Sequence, residues 1–290
     1  MAFVGCGRIA RAVAVGLRAA EGPARPLRGV SRDGAGARVL AAETGLVPMP
    51  DLAGAVAGAE TVVLAVHPHE AAGVLAGLGP HLEPGQTLVS LVASWPAAEV
   101  AAAVGHRVPV VRAVPNTAVA VRAGATVLSV PEGADPAALE PVRDLFAALG
   151  PVHVVEDRHQ ETVSALSGAG PALLARFASA LAGGATALGL PPQLAEDLAR
   201  QATAGTGALL AGPDAELAAT IDAVASPGGM TERALERLAG RGLDAAAAEA
   251  LDAAVRLSLG RAPRSAGAGR NRPEPGPRDT PPARPAPPRT

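Results

Sequence analysis

The spacing of apolar residues changes near residue 157. Before it, short apolar runs recur at Ala2–Val4, Leu27–Ser31, Thr61–Val66, Thr87–Leu91, Val108–Arg112 and Thr126–Val130, with helical patterns between them. Strands alternating with helices predict a parallel sheet covered on both faces. Thr61–Val66 (TVVLAV) is apolar throughout, as suits a strand buried on both sides. From Asp157 onward the strand pattern stops. Leu194, Leu198, Ala202, Gly205 and Leu209 then fall at helical spacing on one face. Helices are predicted over 161–188, 192–211, 214–224, 230–239 and 243–259. They are broken at Leu190-Pro191-Pro192, Gly212-Pro213, Ser226–Gly229 and Gly240–Gly242. The expected organisation is an α/β domain over residues 1–156 and an all-helical domain over residues 157–260.

Residues 261–290 stand apart, with nine prolines and seven arginines against Glu274 and Asp279. Such a segment buries too little apolar surface to offset chain entropy, and a disordered tail of formal charge +5 is expected. The whole chain of 290 residues carries −2, which leaves residues 1–260 at −7 and argues against a dedicated nucleic-acid binder. Aromatic residues make up 1%, so the core must be built from Ala, Val and Leu. Cys6 is the only cysteine, which excludes an internal disulfide and fits a reducing compartment. No uninterrupted run reaches the roughly 18 apolar residues that span a bilayer, and the N-terminus opens almost directly on Phe3-Val4-Gly5 without a signal-peptide pattern. Every side-chain cation other than histidine is an arginine; without lysine there is no Schiff base or lysine base.

Gly5-Cys6-Gly7-Arg8-Ile9-Ala10 follows the first strand and opens the first helix. In this G-x-G-x-x-A pattern the first glycine permits a tight turn. The second lets a pyrophosphate approach the backbone, and a small third residue lets helix and strand pack. A helix N-terminus offers the phosphates unpaired N–H groups and a positive dipole end. The α/β half is therefore expected to be a Rossmann-like, mostly parallel sheet domain that binds a dinucleotide. At the end of the second strand, where an NAD enzyme usually carries an acid, stands Ser31-Arg32. A hydroxyl and a guanidinium suit a 2′-phosphate, hence NADPH, with NADH possible because Asp33 follows at once. Cys6 reads as a filler of the turn. His67 and His69 share one loop without further ligands, so no metal is expected.

The segments Gly5–Ala10, Val66-His67-Pro68-His69, Val111–Thr117 (VRAVPNT), Gly124-Ala125-Thr126, Ala165–Pro171 (ALSGAGP) and Ser226–Thr231 (SPGGMT) resemble, in order and spacing, the pyrroline-5-carboxylate reductase family. The likeness covers about residues 2–259. It implies NADPH-dependent reduction of 1-pyrroline-5-carboxylate to L-proline, the last step of proline biosynthesis. The long, Ala-rich helical half lacks aromatic anchors and is expected to bury its second face against another subunit, giving a homodimer or higher homo-oligomer, expected to be cytoplasmic and without nucleic-acid or membrane partners. The glycine motif, the end of the second strand and the resemblance together make Gly5, Gly7, Arg8, Ile9, Ala10, Ser31, Arg32, Ala65, Val66, His67, Pro68 and Asn116 the residues expected to meet the cofactor. Ser226, Gly228, Gly229, Met230 and Thr231 would meet the substrate. Thr231 is the catalytic candidate, its hydroxyl contacting the ring nitrogen. The local chemistry agrees: Ser226 reads as an N-cap, Pro227 as a first helical residue, and Gly228 and Gly229 as exposed backbone donors for a carboxylate.

Two departures from the family pattern stand out. His67 replaces the usual lysine before Pro68, so a fixed cation becomes one that depends on protonation. Ala169 and Leu173 replace a serine and a tyrosine, which removes polar groups while keeping a segment of small residues. Two other readings fit parts of the sequence. A catalytically silent NADP-binding regulatory protein would tolerate both departures. A β-hydroxyacid dehydrogenase-like oxidoreductase shares the two-part plan but relies on a catalytic lysine that this chain lacks.

Overall fold

The computed structural model describes residues 1–20, 26–212 and 214–260; the expected tail at 261–290 lies outside the described residues. Among the described residues, eight strands form one sheet in the order β3-β2-β1-β4-β5-β6-β7-β8. They are β1 (Ala2–Val4), β2 (Arg28–Val30), β3 (Val47–Pro48), β4 (Thr61–Leu64), β5 (Thr87–Ser90), β6 (Val110–Pro115), β7 (Thr126–Ser129) and β8 (Val152–Val154). The first six run parallel, β7 turns back antiparallel to β6, and β8 is parallel to β7. Two strands, β3 and β8, carry no legible pattern in the sequence. The first is a Val-Pro pair exposed at both positions, and the second is a short edge with two exposed residues.

Side chains of a strand alternate between faces, and the two cores follow that alternation. Ala2, Val4, Val62, Leu64, Leu88 and Val110 pack on one side of the sheet. Phe3, Val63, Val89 and Val111 pack on the other. The helices α1 (Arg8–Ala19), α2 (Ala35–Thr44), α3 (Leu52–Val56), α4 (Pro68–Leu78), α5 (Ala97–Ala103) and α6 (Leu139–Ala147) connect or flank the strands. The continuous apolar run at 61–66 is thereby explained, since both of its faces are covered.

The helical half comprises α7 (Gln160–Val163), a π-turn at Ser164–Gly168, α8 (Ala169–Ala187), α9 (Pro192–Leu210), α10 (Leu217–Asp222), α11 (Met230–Ala239) and α12 (Leu243–Gly260). The single helix expected over 161–188 is thus interrupted, and the π-turn packs against β6 and α12. Among the described residues from 157 to 260, only Gln160, Ala165 and Ala195 are buried. The leucine stripe of α9 points outward: Leu194, Leu198 and Leu209 are exposed, as are Leu174, Leu181 and Leu188. A Cβ built on Gly170, Gly183, Gly184, Gly205 or Gly207 meets nothing within 4 Å. The helical stretch Asp157–Ala187 is long and apolar enough to cross a membrane by length and composition, although the sequence holds no uninterrupted apolar run of that length.

The two halves are joined by a polar network around Arg112, a β6 residue 2% exposed. Its guanidinium lies 3.6 Å from Asp157 Oδ1 and contacts Glu161 on α7. Ser129 on β7 donates to Asp157 Oδ1 at 2.6 Å, and the Ala97 N–H at the start of α5 donates to Asp157 Oδ2 at 3.0 Å. Ser258 on α12 donates to Glu161, and its oxygen lies 2.9 Å from that of Ser94.

Candidate active site

In an open parallel sheet, ligands bind beyond the carboxyl ends of the strands, where the strand order reverses. Here the reversal falls between β1 and β4. A cleft of about 940 Å³ opens there, lined on its β1 side by Gly5, Cys6 and Gly7 and on its β4 side by Ala65, Val66 and His67. Ser31, Arg32 and Asp33, after β2, form its far wall.

Gly5 has φ +91, and a Cβ there would lie 2.4 Å from the Ala65 carbonyl oxygen. Only glycine allows β1 to turn this close to β4. Gly7 is the N-cap of α1, and a Cβ on it would meet nothing within 4 Å. It is therefore required by no protein contact, which is the pattern expected where a ligand approaches the backbone. Arg8 is exposed in the first turn of α1, Ile9 is partly buried against the core, and Ala10 is fully buried. The donors, the open space and the helix N-terminus fit a pyrophosphate.

The three residues of the far wall sit in different settings. The Asp33 carboxylate accepts from the Ala35 N–H at 2.9 Å and is spent on starting α2. Ser31 Oγ accepts from the Ala37 N–H at 3.1 Å and keeps its own proton to donate. Arg32 is exposed and contacts Glu70 across the cleft. Burial pushes the Cys6 thiol up from 9.0 to about 11, so it is a filler and no activated nucleophile.

Pro68 is the first residue of α4, and its carbonyl accepts from Trp95 Nε1 at 3.2 Å. His67 is exposed at the N-cap of α4, its ring stacked on His69 with centroids 5.6 Å apart. Glu70 accepts from the His67 N–H at 3.2 Å. Neither Trp95 nor Glu70 is among the residues expected from the sequence. Glu70 stands three residues after an N-cap, with proline between, which is the signature of a capping pair. Trp95 has no such signal.

Asn116 does not line the cleft. Its side chain accepts from the Ala118 N–H at 3.1 Å and donates to Ser167 Oγ at 3.4 Å, tying the end of β6 to the π-turn. Val114 and Pro115, beyond the predicted run Val108–Arg112, belong to β6. Beyond Arg112 the strand pairs with β7 alone, so the N–H that proline lacks faces no second strand.

The Ser226–Thr231 segment corrects the expected capping. The N-cap of α11 is Gly229, not Ser226, and Met230 is the first helical residue. Ser226–Gly229 is a turn closed by Gly229 N–H to Ser226 O at 2.9 Å, with Pro227 at its second position and Gly228 at φ +72. Proline followed by a glycine of positive φ specifies that turn more strongly than a helix start. Both glycine N–H groups are engaged, since that of Gly228 donates to Glu232 at 2.6 Å. The donors left for an anion are the first-turn N–H groups of Met230, Thr231 and Glu232, which precede the first backbone bond, Arg233 N–H to Gly229 O. None of Ser226–Thr231 lines the dinucleotide cleft of the same chain. Among the described residues no group of three or more His, Cys, Asp or Glu side chains is placed to hold a metal ion.

Known proteins align with both halves. Residues 157–259 match the family model described as pyrroline-5-carboxylate reductase dimerisation, and residues 1–94 match that of NADP oxidoreductase, coenzyme F420-dependent. The first supports a homo-oligomer, and the second a nicotinamide dinucleotide as cofactor. The pyrroline-5-carboxylate reductase of Pseudomonas aeruginosa is 35% identical over 246 residues, which span 84% of this chain and 90% of that protein. That of Mycobacterium tuberculosis is 34% identical over 261 residues, 82% of this chain and 88% of the relative. The structure of the Coxiella burnetii pyrroline-5-carboxylate reductase superposes with a TM-score of 0.81 at 30% identity, covering 90% of this chain and 98% of that one. With a glycine cleft at the β1/β4 reversal in one half and the glycine turn before α11 in the other, the chain belongs to the pyrroline-5-carboxylate reductase family.

Proposed function

We propose that the chain reduces 1-pyrroline-5-carboxylate to L-proline, with NADPH as the favoured reductant and NADH as an alternative. The observation that carries this is the cleft at Gly5–Gly7, open at the one position where no protein atom needs the glycine, in a chain aligned over most of its length with reductases of that name. When bound, the dinucleotide supplies the hydride that adds to the imine carbon while a proton goes to the ring nitrogen. The residues of the chain do the rest. The N-terminus of α1 holds the pyrophosphate, and Ser31 and Arg32 face the adenosine ribose. The first turn of α11 holds the substrate carboxylate, and the Thr231 hydroxyl orients the ring nitrogen.

The imine accepts hydride best as an iminium, so binding and orientation suffice without a strong acid. Positioning of this kind contributes on the order of 7–11 kcal/mol in favourable cases. Ser226, Gly228 and Gly229 shape the turn, and Met230 and Thr231 present donors. In the single chain this turn is exposed and away from the cleft, and the apolar faces of α8 and α9 are open. Both features support a homodimer or larger assembly, with the substrate pocket at the subunit contact. The enzyme is read as cytoplasmic. The test is NADPH consumption with pyrroline-5-carboxylate by wild type and Thr231→Ala. Wild-type turnover no better than buffer sinks the reading. A normal rate in Thr231→Ala removes Thr231 from the mechanism while leaving the activity.

A further inference from the structure

The Arg32–Glu70 pair bears on cofactor choice, provided that the cleft binds a dinucleotide as proposed. Arg32, after β2, and Glu70, in the first turn of α4, both line the cleft and meet across it. The Glu70 side chain is 19% exposed, against 78% for Arg32. Its second oxygen is fixed by the His67 N–H at 3.2 Å. The acid is therefore the anchored member, and the arginine is drawn toward it. The neighbouring acid, Asp33, is engaged with its own turn and does not compete for the guanidinium.

A 2′-phosphate seated on Arg32 must compete with this carboxylate for the guanidinium, whereas a ribose bearing only hydroxyls does not depend on that cation and meets no such competition. We propose that Glu70 is a specificity-determining residue: by holding Arg32 it blunts the preference for the 2′-phosphate, so the enzyme accepts NADH beside NADPH. Neutralising Glu70 releases Arg32 to the phosphate.

The experiment measures Kd by calorimetry for adenosine 2′,5′-bisphosphate, ADP, NADPH and NADH, in wild type, Glu70→Gln, Arg32→Ala and the double variant. Glutamine keeps an acceptor for the His67 N–H, so α4 retains its cap. Quenching of Trp95, the only tryptophan and a hydrogen-bond donor to Pro68, gives a second readout for the two dinucleotides without turnover. Glu70→Gln is expected to raise affinity for the 2′-phosphorylated ligands about two- to fivefold, given the worth of exposed ion pairs, with affinity for ADP and NADH unchanged. In the Arg32→Ala background the Glu70 substitution is expected to change nothing. An unmoved ratio in Glu70→Gln, or an equal change for all four ligands, overturns the inference. So does a Glu70 effect that persists without Arg32. Wild-type protein that binds none of the four overturns the dinucleotide reading and this inference together. Wild-type binding with an unmoved ratio overturns the inference alone.

Discussion

Replacing Arg112 with methionine removes a buried cation while keeping most of the side-chain length. In the native chain its guanidinium faces Asp157 at 3.6 Å and contacts Glu161, and all three side chains are largely buried. Ser129 and the Ala97 N–H already donate to Asp157, and Ser258 to Glu161. These neutral donors cannot replace a full positive charge. Breaking a buried ion pair by removing one partner costs about 3–5 kcal/mol, because the other partner is left charged and desolvated. Against a total stability of roughly 5–15 kcal/mol this is a large fraction. Urea unfolding of Arg112→Met at fixed protomer concentration is therefore expected to show a loss of about 3 kcal/mol or more. Glu161→Gln added to Arg112→Met should recover part of that loss, because the two substitutions remove interacting groups. A loss below about 1 kcal/mol, or additive effects in the double variant, would refute the assignment of this network as the joint between the halves.

Four other outcomes are expected from the structure. Gly5→Ala should both destabilise the fold and abolish dinucleotide binding, whereas Gly7→Ala should leave the thermal midpoint unchanged and weaken binding alone; equal effects on both measures in the two variants would contradict the roles assigned. The Cys6 thiol, pushed to about 11, should react with iodoacetamide at pH 8 far more slowly than a free cysteine and catch up only near its raised value. Because its folded value lies above the ordinary 9.0, its contribution to stability is fully present below pH 9 and is lost as pH rises toward 11, which Cys6→Ala should abolish in alkaline unfolding curves. Asn116→Ala removes a cap from the 3-10 segment Thr117–Val121 and should cost about 1 kcal/mol in chemical denaturation.

Most of the fold is legible in the sequence because it is periodic. The runs at Ala2–Val4, Thr61–Val66 and Thr87–Leu91 contain β1, β4 and β5, and the helix predicted over 192–211 differs from α9 by one residue at its C-terminus. What escapes is irregular or long-range. Nothing local marks the exposed Val47–Pro48 as a strand, and no sequence pattern places Arg112 beside Glu161. The SPGGMT turn illustrates a subtler failure. Serine and proline suit a cap and a first helical residue, yet a positive-φ glycine two positions after the serine commits the backbone to a turn. Asn116 belongs by resemblance to the cofactor's surroundings, and no local pattern announces its amide contact with Ser167, 51 residues away.

The near-absence of an interior in the helical half bears on how the protein comes to exist in the cell. Both cores of the sheet domain are internal to the chain. Its second half then presents leucines to water until another copy arrives. Folding and pairing are one equilibrium for those helices, so their stability rises with the amount of protein present and falls on dilution. Scarce or unpaired chains are the ones exposed to proteases and to aggregation. Abundance is thereby a condition of the fold as well as a consequence of it.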